Sequence, residues 1–159
     1  GTEAGVAAQE AAIRTLAGQA AVEPASADVW KARQTLWEGA GPAAVAKISV
    51  LPAEISNTAR AIERAANSRQ IRWKAVVQAI GLGSVRMEGA PDALYSAMVE
   101  LRAAMQQGGG SLVLLRRTAG MEALDAWGYS GDALPLMRAV KERLDPKSTL
   151  NPGRFAGGI

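Results

Sequence analysis

The sequence predicts an α+β fold: a ferredoxin-like β-α-β-β-α-β core with a four-stranded antiparallel sheet and additional N-terminal and C-terminal helices. Three observations carry this expectation. Between residues 44 and 116, stretches of period two alternate with stretches of the helical repeat of about 3.6, in the order strand, helix, strand, strand, helix, strand. Glycine or proline punctuates most of the junctions. Apolar residues make up 48% of the 159, which suffices for the core of one domain.

Each element has its own reason. Residues 4–21 are Ala-rich, with Ile13, Leu16 and Ala20 at helical spacing, and predict a helix with a shallow apolar stripe. Pro24 breaks that pattern, and Ser26 stands where it can cap a second helix over 27–38. There Val29 and Trp30 recur at i+7 as Leu36 and Trp37. Residues 44–51 alternate and form the first predicted strand. Pro52 opens a helix at a tolerated early position, with Ile55, Ala59, Ile62 and Ala66 on one face. In the second strand, 71–79, Ile71, Trp73, Ala75 and Val77 point one way and Arg72, Lys74 and Gln78 the other. Gly81-Leu82-Gly83 reads as a tight turn before a third strand over 84–88. Leu94, Met98, Leu101 and Met105 stripe a helix over 91–107, and Gly108-Gly109-Gly110 stops it before the fourth strand, 111–116.

Both helices must then cover one face of the sheet. The other face, with Val45, Val76, Val113 and Leu115, is expected to pack against the N-terminal helices or against something outside this chain. Trp73 is expected to face the core. In the tail, 119–159, Met121, Leu124 and Trp127 suggest a short helical turn, and Gly128-Tyr129-Ser130-Gly131 a loop. Asp132 can cap a last helix over 133–144, striped by Leu136, Met137, Val140 and Leu144.

Composition removes much chemistry. With no histidine and no cysteine, the Ser-His-Asp and Cys-His arrangements, zinc fingers, iron–sulfur ligands and disulfides are excluded. The 15 acids show no calcium-loop spacing, so no metal site is expected. Lys and Arg number 18, a net charge of +3 that is an ordinary solubility balance and a weak nucleic-acid signal. Aromatics at 4% leave no stacking platform, so no nucleic-acid partner is expected. No stretch is long and apolar enough to span a membrane, and no signal peptide is visible. A first residue other than Met suggests a piece of a longer chain. Gly81-x-Gly83 lies between two strands, so it is no dinucleotide fingerprint, and there is no phosphate-loop motif. Arg72, Lys74 and Arg86 are expected to form a basic stripe, either solvated or facing an anionic ligand or partner domain.

The tail is the most specific stretch. In LDPKSTLNPGRF, two prolines fix a local path and can present Asn151 and Arg154 at a defined point. The plainer alternative is a packing strap anchored by Leu150 and Phe155.

Leu144–Ile159 resembles the C-terminal end of FAD-linked oxidoreductases of the vanillyl-alcohol-oxidase and para-cresol-methylhydroxylase superfamily. Within it, the chain is most similar to the FAD-binding subunit type of bacterial glycolate oxidase. The resemblance is strongest over 125–159, with weaker echoes at Trp30, Trp37 and Lys47–Pro52. It implies one C-terminal cap domain over 1–159, made of N-terminal helices (4–38), the ferredoxin-like core (44–116) and a helical tail (119–159). It also implies an N-terminal FAD-binding domain absent from this chain, other oxidase subunits as partners, and a small 2-hydroxy acid such as glycolate as substrate, oxidised by hydride transfer to flavin. By the same resemblance, Asn151, Pro152, Gly153 and Arg154 lie on the cofactor-proximal surface. No catalytic residue is expected, because the histidine-rich cap motif of many 2-hydroxyacid members is replaced by Gly81-Leu82-Gly83-Ser84. The chain alone is expected to bind no FAD and to be inactive. The implied location is cytoplasmic, including peripheral attachment to the inner membrane through partner subunits. The alternative function is a small-ligand-binding or protein-interaction module with a ferredoxin-like core.

Overall fold

The computed structural model describes residues 1–128 and 131–159; the side chain of Arg33 also lies outside the description. The chain divides into two compact units, Gly1–Lys31 and Ala32–Ile159.

In the first unit, helix α1 spans Glu3–Ala17. The Thr2 side chain accepts a hydrogen bond from the Gly5 N–H and caps its start. It ends short of the predicted residue 21 because Gly18 turns left-handed, φ 58°. No residue of α1 is buried. The predicted helix over 27–38 does not form as one piece. Ala27–Lys31 is a 3₁₀ helix, and Ser26 starts it with its backbone carbonyl, which accepts from Val29 N–H.

In the second unit, α2 is a single turn, Ala32–Thr35, so the i+7 tryptophan stripe does not arise. The core follows: β1 (Ala43–Ser49), a 3₁₀ turn (Pro52–Glu54) leading into α3 (Ile55–Asn67), β2 (Arg72–Val77), β3 (Leu82–Glu88), α4 (Pro91–Gln107) and β4 (Ser111–Arg116). The sheet order is β2-β3-β1-β4, with every pair antiparallel. This is the ferredoxin-like core that the period changes predict. Ala44, Ala46 and Ile48 of β1, Val85 and Met87 of β3, and Leu112 and Leu114 of β4 share a buried cluster with Ile62 and Ala65 of α3 and Leu94, Met98 and Leu101 of α4. Both helices therefore lie on one face.

Local details differ from expectation. The turn between β2 and β3 is Gln78–Gly81, closed by Gly81 N–H to the Gln78 carbonyl at 2.9 Å, while Leu82 and Gly83 already belong to β3. Gly81 has φ 86°, and an added Cβ would lie 1.9 Å from the Val50 carbonyl oxygen, so glycine is required there. Trp73 sits opposite Met87 but stays 38% exposed, because β2 is an edge strand.

Past β4 the expected turn is a single one, closed by Leu124 N–H to the Met121 carbonyl at 3.1 Å, and it does not continue to Trp127. The loop is pinned instead. Arg117 Nη1 donates to the Leu124 carbonyl at 2.8 Å, Arg102 Nη2 to the Asp125 carbonyl at 2.7 Å, and Leu114 N–H to the Ala126 carbonyl at 2.7 Å. Burial lowers the pKa of Arg102. These bonds bury Met121 and Leu124 and cover the outer edge of β4. Of the predicted loop at 128–131, Tyr129 and Ser130 lie outside the described residues. Helix α5 runs over Leu134–Leu144 after a 3₁₀ turn at Gly131–Ala133. Asp132 does not cap it: Ala133 holds that position, with no side-chain bond. Among the described residues, no helix is long and apolar enough to cross a membrane.

Candidate functional site

Strand alternation sends one set of side chains into the core and the other onto the open face of the sheet. Across that face, Val76, Ser84, Lys47 and Val113 stand in one cross-strand row. The next row holds Lys74, Arg86 and Val45. Between Val45 and Ala46 the β1–β4 register shifts, so Val45 faces Arg116 and Ala46 faces Leu114. This bulge puts two neighbours, Leu115 and Arg116, on the open side: Leu115 lines its concavity, and Arg116 donates to the Trp37 carbonyl.

Basic side chains collect here. The strands carry Lys47, Arg72, Lys74, Arg86 and Arg116, and Glu88 is their one carboxylate. Glu88 accepts from Arg86 Nε at 2.7 Å and from Arg72 Nη2 at 3.0 Å. The Arg86 hydrogen bond is the main reason its carboxyl lies below the usual carboxylate range, helped by the charges of Arg86, Arg72 and Lys74. The expected stripe of Arg72, Lys74 and Arg86 is thus corrected. Arg86 is buried, its Nη1 donates to the Leu36 carbonyl at 3.3 Å, and its Nη2 has no partner among the described residues. Gly39, at φ 138°, lies against that Nη2; an added Cβ would come within 2.4 Å. Buried Leu36, with Trp37 and Gly39, thus covers the Val45–Arg86 end of the open face.

The other end stays open as a concavity of about 310 Å³. Trp37, Val76, Leu82 and Leu115 supply apolar walls, and Lys47, Gln78 and Ser84 supply polar groups. Lys47 makes no ion pair among the described residues. The arrangement can hold a small anion with a carbon body, one charge facing Lys47. Lys47 is the residue that motif reading passed over. Its signal was present, as a lone cation between Ala46 and Ile48 in an otherwise apolar strand. The bulge that adds Leu115 left no such mark.

The tail is the second region. Asp145 ends α5 and accepts four hydrogen bonds: from Lys141 Nζ, Thr149 N–H, Thr149 Oγ1 and Leu150 N–H, all within 2.5–2.9 Å. Lys141 is the main cause, and the two backbone N–H groups the next, of a carboxyl held far below its usual range. Trp127 Nε1 donates to the Arg154 carbonyl at 3.0 Å, and the Trp127 and Phe155 rings meet edge to face at 4.6 Å. Leu150, expected as a packing anchor, is 68% exposed; Phe155 alone packs, on Trp127.

Of the residues implied by resemblance, Asn151 and Arg154 open onto a groove of about 610 Å³ beside α5. Pro152 and Gly153 open onto an adjoining hollow with Arg138 and Glu142. Asn151 has φ 47° and Gly153 φ 71°, so the chain reverses sharply between them.

The sequence model for the C-terminal domain of FAD linked oxidases matches residues 120–155, the pinned loop, α5 and most of the tail. That segment is similar to this family's C-terminal domain and stands on a ferredoxin-like core. Among curated proteins, none matches the chain. Among solved structures, a C-terminal segment of the alpha subunit of aIF2 from Pyrococcus abyssi is similar at 18% identity and a TM-score of 0.39. The match covers 52% of this chain and 55% of that one, so the chain spans about half the length of the structure it matches.

Proposed function

We propose that this chain is a small-ligand-binding and interaction module, and that the open sheet face receives a small organic anion. The supporting observation is Lys47, a cation with no ion-pair partner among the described residues, set among the apolar walls of Trp37, Val76 and Leu115, with the Ser84 hydroxyl directly across the sheet. Lys47 balances the ligand's charge, Ser84 and Gln78 take its hydrogen bonds, and the walls cover its carbon atoms. The test is an NMR titration of the chain with benzoate, glycolate and inorganic phosphate. Benzoate should move the Lys47 and Ser84 amides most, and Lys47→Met should abolish the response without lowering the melting temperature. Shifts confined to other surfaces refute the reading.

The match over 120–155 favours a second reading: the module is the cap of an FAD-linked oxidoreductase subunit. It would work beside an FAD-holding domain and other oxidase subunits on glycolate or a related 2-hydroxy acid. When bound, FAD would accept the hydride from the hydroxyl-bearing carbon. The tail fits an edge contact with such a cofactor. Arg154 and Asn151 share one groove, and an added Cβ at Gly153 would meet nothing within 4 Å, so another domain can approach that backbone. Arg154 would engage an anionic or carbonyl oxygen, and Asn151 would orient it. With Arg154→Ala, melting of this chain should stay unchanged, while a chain joined to its FAD domain should lose about 1.5–3 kcal/mol of flavin affinity. Equal destabilisation of both with flavin affinity intact leaves only a packing strap.

A further inference from the structure

Helix α5 sets Met137, Val140, Lys141 and Leu144 on the groove at spacings of i, i+3, i+4 and i+7. The returning tail supplies the facing wall through Leu150 and Phe155. The core does not use this surface. No residue of α5 is buried, and Leu144 is 78% exposed. A helix of 11 residues is marginal alone in water, and burial of an apolar face supplies most of its stability in proteins. The groove is also already built. The Asp145 cage and the Trp127–Arg154 bond hold its far wall, so an occupant need not order the tail.

The charge of the groove selects the occupant. Asp145 also lines the groove, but its oxygens are taken up by Lys141, Thr149 and Leu150. Arg154 lines the groove and makes no ion pair among the described residues. The surface offered outward is therefore apolar, with the Arg154 cation at its edge. A two-walled cleft receives the ridge of a helix, whereas a bilayer surface would need a convex or flat apolar face.

We infer that α5 and the tail form a docking groove for an amphipathic helix of a partner protein, its apolar stripe flanked by Asp or Glu. The groove shares no residue with the sheet-face concavity, so this inference is independent of the ligand reading. Arg154 is common to the cap reading, so the test contains no flavin.

The probe is a synthetic peptide of about 15 residues, long enough for helix, with Leu at three- and four-residue spacing and Glu beside it. A control carries Lys for Glu. Added to the full labelled chain, the acidic peptide should shift the Val140, Leu144, Leu150 and Arg154 amides. Leu144→Glu should abolish that response and Arg154→Ala should weaken it roughly tenfold, the scale of one charge-assisted contact. Neither variant should lower the melting temperature. Equal binding of both peptides, no shift at the groove, a response to phosphatidylglycerol vesicles alone, or self-association abolished by Leu144→Glu would each overturn the inference.

Discussion

One carboxylate, Asp145, decides where the chain goes after α5. Its partners stand at 141, 149 and 150, so it closes the turn containing Pro146 and left-handed Ser148. Its folded pKa is depressed, so its stabilisation is present above the unfolded value, about 3.9, and is lost as pH falls through the lower folded value. The Thr149 and Leu150 amide resonances should therefore hold their positions as pH falls through 4 and move only in stronger acid. In Asp145→Asn that acid transition should vanish and the tail amides should exchange faster at neutral pH. Arg86 is the other residue that decides a local structure. Its side chain is 1% exposed and bridges Glu88 to the Leu36 carbonyl. Arg86→Ala should cost about 3 kcal/mol, the lower end for breaking a buried pair, because Glu88 keeps Arg72. Arg86→Met, which fills the same space, should cost less in a chemical melt. Neither role was legible beforehand: alternation placed Arg86 on the outer face, but nothing in the sequence showed that Leu36 and Gly39 would cover it.

At the scale of elements, legibility followed the strength of the periodic signal. Helix α4 agrees with its predicted bounds because Leu94, Met98, Leu101 and Met105 all reach the core. The segment around Ser26–Thr35 failed because its apolar spacing had no continuous core face to satisfy, and short 3₁₀ and α turns resulted. The hairpin moved by two residues because the β2–β3 ladder extends to Leu82, with Gln78 N–H bonding its carbonyl. The same contrast has a dynamic outcome. Helix α1 buries no residue, whereas α4 buries Leu94, Ala97, Met98, Leu101 and Met105. Amide exchange should be rapid throughout α1 and slowest at the centre of α4. Protection in α1 equal to that of α4 would show that its Ala-rich face is covered in solution.

For the whole molecule, the ferredoxin-like order was readable because each crossover helix must return the chain to the same sheet. The candidate sites were readable only in part. Asn151 and Arg154 stood out through the prolines and glycine around them, and they do share a groove. The sheet-face concavity needs Trp37, Gln78, Ser84 and Leu115 brought together from four separate stretches, and a register shift that no motif encodes. On the cap reading, Asn151 and Arg154 would supply only an edge contact to FAD, and a separate FAD-holding domain would supply the rest. Purified chain mixed with FAD should therefore retain no stoichiometric flavin absorbance after gel filtration and should not reduce a dye with glycolate. Retained flavin or dye reduction would show that cofactor binding resides within these residues.

The single carboxylate among the strands has a kinetic consequence. Glu88 balances only one of Arg86 and Arg72, so the field over the open face comes from Lys47, Lys74 and Arg116 together with the charge left on that cluster. An approaching anion feels that field over roughly a Debye length, about 8 Å at physiological salt. Collisions are then guided before any contact forms, and added salt removes the guidance while leaving the contacts intact. Capture of an anion by this face should accordingly slow as ionic strength rises, while the lifetime of the bound state stays nearly constant.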